Sequence, residues 1–104
     1  MGQPIDANVV WDAATNQGTV ATITVPAGNG ATVIRWTCDT TVISGFTITG
    51  LDTTVFNPAQ SNNDVTTFTT TDSNNSAQEC TYTVAATHVS GRTSSHDPKI
   101  ENGG

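Results

Sequence analysis

The residues in this chain with chemistry to offer are few and scattered. There are two cysteines, Cys38 and Cys80, and two histidines, His88 and His96. Two cysteines allow one disulfide or two thiols, and their number alone does not fix the redox compartment. A zinc site needs three or four ligands with a supporting shell, and no spacing here supplies them. Ser95, His96 and Asp97 carry the three types of a nucleophilic triad, but they are adjacent. Neighbours on a strand point to alternate faces and cannot converge as a triad must. Asp72-Ser73-Asn74-Asn75-Ser76, with Glu79, offers oxygen ligands. Its spacing departs from a Ca²⁺-binding EF-hand loop and lacks that loop's glycine, so it reads as a solvated turn. Asn74-Asn75-Ser76 also matches a glycosylation sequon, a short pattern with many false positives. No phosphate-cradling loop, dinucleotide turn or paired carboxylates can be argued from spacing. The expectation is a non-enzymatic protein without a cofactor or metal.

Composition points to a thin β protein. At 104 residues the chain is long enough for a single core. Only 35% of it is hydrophobic. Much of the balance is Thr, roughly a fifth of the chain, which favours strands while showing a hydroxyl to water. The net charge is −6, with Arg35, Arg92 and Lys99 the only cations besides the histidines. Three dispersed cations build no basic patch, which argues against nucleic acid and anionic membrane as partners. No stretch approaches the ~20 apolar residues of a membrane span. The first residues hold neither a basic region nor an apolar run, so they do not read as a secretory signal.

The elements are strands. Residues 31–38 alternate, with Ile34, Trp36 and Cys38 on one face and Val33, Arg35 and Thr37 on the other. In residues 42–49, Phe46 and Ile48 point inward, and Gly45 suggests a bulge or a close backbone approach. Residues 19–25 form an alternating strand, and Asn29-Gly30 after it predicts a tight hairpin into the next. Residues 53–56 are a short strand. Residues 64–71 are another, with Val65 and Phe68 of opposite parity and hence a weak register. Tyr82, Val84 and Ala86 share the inward face of residues 81–89. Residues 93–101 form an edge strand interrupted by Pro98. No helical period appears. Seven to eight strands separated by turn signals predict a two-sheet β-sandwich over residues 19–101, cored by Ile34, Trp36, Phe46, Ile48, Tyr82 and Val84. Residues 102–104 are expected to be a mobile tail. Residues 1–18 are expected to be an N-terminal arm or an extra edge strand carrying Val9, Val10 and Trp11.

Val33-Ile34-Arg35-Trp36 followed by Gly45-Phe46-Thr47-Ile48-Thr49 resembles strands B and C of fibronectin type III domains, within the immunoglobulin-like superfamily. The run from Tyr82 to Arg92 is similar to that family's F strand and F–G turn, with Tyr82 matching the core tyrosine. The resemblance spans about residues 19–101 and implies the fold rather than a function. Ser76-Ala77-Gln78-Glu79-Cys80 replaces the family's usual Leu-x-Pro-Gly, and the Arg-Gly-Asp adhesion tripeptide is absent. Integrin-type adhesion therefore does not carry over. The resemblance puts Cys38 and Cys80 at opposite ends of the sandwich, too far apart to bond. In immunoglobulin domains proper the B and F cysteines do pair. A Cys38–Cys80 bridge would close a loop of about 40 residues and add roughly 3–4 kcal/mol.

Function is then expected away from the core. Tryptophan is enriched at interface hot spots, which marks Val9, Val10 and Trp11 as an interface, with Phe56 and Arg92 as further surface candidates. A protein partner or self-association is expected. The acidic, Thr-rich surface suits a small surface (decoration) component of a larger assembly, such as a phage capsid or tail, located on a virion or outside the cell. The other reading is an accessory carbohydrate- or protein-binding domain from a secreted enzyme or adhesin.

Overall fold

The computed structural model describes residues 3–104. They form an all-β protein of eleven strands: β1 (Ile5–Asp12), β2 (Gln17–Thr19), β3 (Ile23–Val25), β4 (Thr32–Cys38), β5 (Ile43–Thr49), β6 (Phe56–Asn57), β7 (Thr67–Asp72), β8 (Ala77–Thr81), β9 (Thr83–His88), β10 (Thr93–His96) and β11 (Lys99–Gly103). Several of these are fragments of the longer strands expected from alternation.

One sheet has five strands in the order β2-β1-β4-β7-β6. Two three-stranded sheets, β10-β9-β5 and β3-β11-β8, are nearly continuous with each other. Only Tyr82 separates β8 from β9, and only Asp97-Pro98 separates β10 from β11. Pro98 has no N–H, which interrupts the ladder, but its carbonyl accepts from the Tyr82 N–H at 3.1 Å. The arrangement is consistent with a β-sandwich.

Alternation assigns the inner faces of the central strands correctly. Thr32, Ile34 and Trp36 of β4 are buried while Arg35 is exposed. Phe46, Ile48, Tyr82 and Val84 are also fully enclosed. At Gly45 the β5–β9 register shifts, so Ile43 is buried despite its odd parity. A Cβ at Gly45 would stand 3.2 Å from Asp64 Cβ, so the close approach is present as well. In β7 the register follows Phe68, with Thr70 and Asp72 beside it on the buried face. Val65, of opposite parity, lies before the strand and bridges Phe46 instead.

Other expectations are corrected. Residues 19–25 do not form one strand, and Asn29-Gly30 does not close a hairpin. β3 pairs in parallel with β11, while β4 joins the other sheet. The turn residues serve a crossover: Gly28 and Gly30 take positive φ, and the Gly28 N–H donates to the Gly104 carbonyl at 2.8 Å. In the segment expected to be an arm or an extra edge strand, β2 is the edge of its sheet and β1 is internal. β1 lies inside its sheet, parallel to β4 on one side and antiparallel to β2 on the other. Met1 and Gly2 of that segment lie outside the described residues. The expected tail is structured, since Asn102 is buried and Gly103 ends β11. The expected solvated turn after β7 is corrected in part: Asn75, Ser76 and Glu79 are exposed, but Asp72 and Asn74 are buried and hydrogen-bonded within the fold.

Candidate functional site

β1 reaches the end of the molecule where β9 ends and β5 begins. Its alternation splits the expected interface residues. Val9 points into the core and is 2% exposed, so it is not a contact residue. Val10 points out and is 56% exposed. Trp11, half-buried, stacks on the His88 ring with centroids 4.9 Å apart and planes tilted by 52°. His88 is fixed in turn by the loop that follows it. Its Nδ1 accepts from the Ser90 N–H at 3.0 Å and lies 2.9 Å from the Ser90 hydroxyl. In the neutral ring that leaves the proton on Nε2. The turn closes with the His88 N–H donating to the Arg92 carbonyl at 2.7 Å, and Gly91 supplies the positive φ it needs.

Beside Trp11 lies an open groove of about 280 Å³, lined among others by Val10, Cys38 and Val42. The Val89 N–H donates to the Val42 carbonyl at 2.9 Å, which ties the end of the β9 segment to the groove wall. Val89 is 51% exposed. Val10 and Val89 are the exposed large hydrophobics among the described residues. Val42, His88 and Val89 are not among the interface residues expected from the sequence. Parity held the signal for Val89: with Tyr82, Val84 and Ala86 inward, Val89 faces out. Val42 was masked by the bulge that follows it.

The remaining candidates do not join this site. Phe56 is 1% exposed, because β6 pairs with β7 and turns its ring into the core. Arg92 is exposed in the turn beside His88. Among the described residues the ion pairs are Arg35–Asp6 and Lys99–Glu79, both largely exposed, and Arg92 takes part in neither.

Burial, aided by the neighbouring Asp39 charge, pushes the Cys38 thiol up, which disfavours the nucleophilic thiolate. The Asp39 carboxyl is held below its usual range by the Thr41 hydroxyl, 2.6 Å away, and by the Thr41 N–H. It serves as a turn clamp. Both cysteines are free thiols, so the bridge is not formed. Cys38 Sγ sits near the Ile43 and Thr66 carbonyls, whereas Cys80 lies on β8 opposite Ile100, in another sheet. Ser95 and His96 differ in exposure as strand neighbours should, and Asp97 accepts from the Thr83 hydroxyl at 2.9 Å. Among the described residues no three His, Cys, Asp or Glu side chains cluster as metal ligands.

A scan against protein-family models and a search of curated proteins found no match to this chain.

Proposed function

We propose that the chain is a non-enzymatic binding module built on an immunoglobulin-like sandwich, acting as a small surface component of a larger assembly such as a phage capsid or tail. The observation that carries this reading is the groove beside the half-buried Trp11, lined by Val10 and Val42, with exposed Val89 at the strand end whose N–H is bonded to Val42. Two exposed valines apart from each other would be ordinary. Val10 beside a partly exposed tryptophan gives an apolar patch with the composition of an interface centre, and Val89 adds exposed apolar surface at the end of β9. For the fold, support comes from the contact of Trp36 with Tyr82, the residues on which the fibronectin type III resemblance rests. The parallel β1–β4 pairing lies outside the segment that resemblance covers.

Removing residues 1–12 would not be a clean test, because it deletes an internal strand. Val10→Ser with Val89→Ser alters the patch alone. Sedimentation of the purified chain should show concentration-dependent association that the double variant loses while its melting curve is unchanged. A chain that stays monomeric throughout, and is retarded on polysaccharide gels in a Trp11-dependent way, would move the reading to the accessory carbohydrate-binding domain. With Phe56 buried, Trp11 is the remaining aromatic for that role.

A further inference from the structure

Far from the notion of a solvated turn, the segment after β7 encloses a polar pair. Asp72 is 0% exposed and Asn102 is 5% exposed. They belong to different sheets, Asp72 ending β7 and Asn102 lying within β11. Asp72 Oδ1 accepts from the Asn74 N–H and from Asn102 Nδ2, each at 2.9 Å. The other two oxygens, Asp72 Oδ2 and Asn102 Oδ1, are buried and have no partner among the described residues. With Asp72 ionised, both are acceptors only. The two orphaned acceptors sit on side chains already joined by one hydrogen bond.

We propose that Asp72 is a buried proton-binding site, holding a proton on Oδ2 and donating it to Asn102 Oδ1, so that a two-bond carboxylic acid–carboxamide pair fastens β7 to β11. The proton comes from solvent, and binding it raises the protein's net charge by one. It satisfies both orphaned oxygens at once, and buried polar groups are costly when left unpaired.

The surroundings favour the neutral acid. Thr32 of β4 and Phe56 of β6 stand opposite Asp72 in register and carry no charge. On β11, Lys99 and Glu101 alternate to the exposed side, and Lys99 pairs with Glu79. The titratable neighbour on β8 is the Cys80 thiol, pushed up chiefly by burial. Lys99, the one cation among these groups, is exposed and paired with Glu79, so none of them holds Asp72 in its charged form. A hard cation fits poorly, since Ca²⁺ takes about 6–8 oxygens. The third orphaned oxygen, Ser73 Oγ, belongs to a residue that lines a groove with Val55 and Phe56 and bonds Val55 through its N–H. Independently, burial raises the acid's pKa, outweighing the hydrogen bonds from Asn74 and Asn102 that lower it.

The sign of the consequence follows. A carboxyl whose folded pKa is raised stabilises the fold fully below its unfolded pKa of about 3.9, and loses that contribution as pH rises through the folded value. Asp72→Asn replaces the O–H donor by a permanent N–H donor. The test is a carbon NMR titration of the aspartate side-chain carboxyls in the full chain, with melting curves of wild type and Asp72→Asn over the same pH range. Asp72 should keep its protonated shift after the exposed aspartates have ionised, and the variant's melting temperature should fall less with rising pH. Should Asp72 ionise together with or before the exposed aspartates, the proposal is overturned, whether or not the variant folds.

Discussion

The indole N–H of Trp36 donates to the hydroxyl of Tyr82 at 3.0 Å, inside the core. The rings meet edge to face, with centroids 5.6 Å apart and planes at 69°. Trp36 comes from β4 and Tyr82 from the junction of β8 and β9, so this bond joins two sheets. Tyr82→Phe keeps the ring and removes the acceptor, leaving a buried donor unpaired. The expected loss is about 1–3 kcal/mol. Trp36→Ala should cost more, about 3–5 kcal/mol, because it empties a large cavity. Urea unfolding measures both. A Tyr82→Phe variant as stable as wild type would mean the hydroxyl contributes nothing net.

Tyr82 is the only tyrosine, so its ionisation can be followed alone. Burial pushes its hydroxyl up to about 12, against the opposing hydrogen bond from Trp36. The raised value means the fold prefers the neutral phenol. Its stabilisation is complete below the ordinary pKa of about 10 and is lost as pH rises from there towards about 12. An ultraviolet tyrosinate titration should show no ionisation near the ordinary value while the protein stays folded. Ionisation there with a native circular dichroism spectrum would contradict the enclosed ring.

How much of this could be read from residues alone depends on whether the information is local. The inner faces of β4, β5 and β9 follow from period-two alternation, and Trp36, Phe46, Ile48, Tyr82 and Val84 lie where it puts them. Pairing partners are not local. Asn29-Gly30 has hairpin chemistry, yet its glycine is used in a crossover because β3 finds β11 instead. Phe56 looked exposed because a two-residue strand carries too little pattern to show its face. Asp72 and Asn74 read as part of a solvated turn on polarity, and Asn102 as part of a mobile tail on its terminal position. Their burial depends on hydrogen bonds across 30 residues of sequence or between neighbours in a turn. At the candidate site, Val10 and Trp11 were legible from composition, whereas His88 and Val42 join them only through the meeting of β1, β5 and β9.

The free thiols give a direct chemical expectation. Intact mass under native preparation should be the same with and without reductant. Both thiols are raised by burial, so alkylation at neutral pH should be slow at each. Cys38, at the edge of the groove, should react before Cys80, which is 8% exposed. A reductant-dependent gain in mass of two hydrogens would place the cysteines in a bridge after all.

Two glycines separate lack of space from backbone conformation. A Cβ on Gly103 would run into the backbone N and Cα of Ala27, and that loop cannot swing away freely because the Gly28 N–H is bonded to the Gly104 carbonyl. Gly103→Ala should therefore cost about 1–3 kcal/mol through overpacking. Gly28 is the opposite case. Nothing lies within 4 Å of its added Cβ, but its φ is +80°, which disfavours any side chain. Gly28→Ala should cost about 1–2 kcal/mol through backbone strain alone. Gly28→Asn should recover part of that loss, because Asn tolerates the left-handed region. The same exchange at Gly103 should recover nothing, since a larger side chain meets the same wall. Urea midpoints of the four variants decide it, and partial rescue by Asn at Gly103 would refute the steric account of that position.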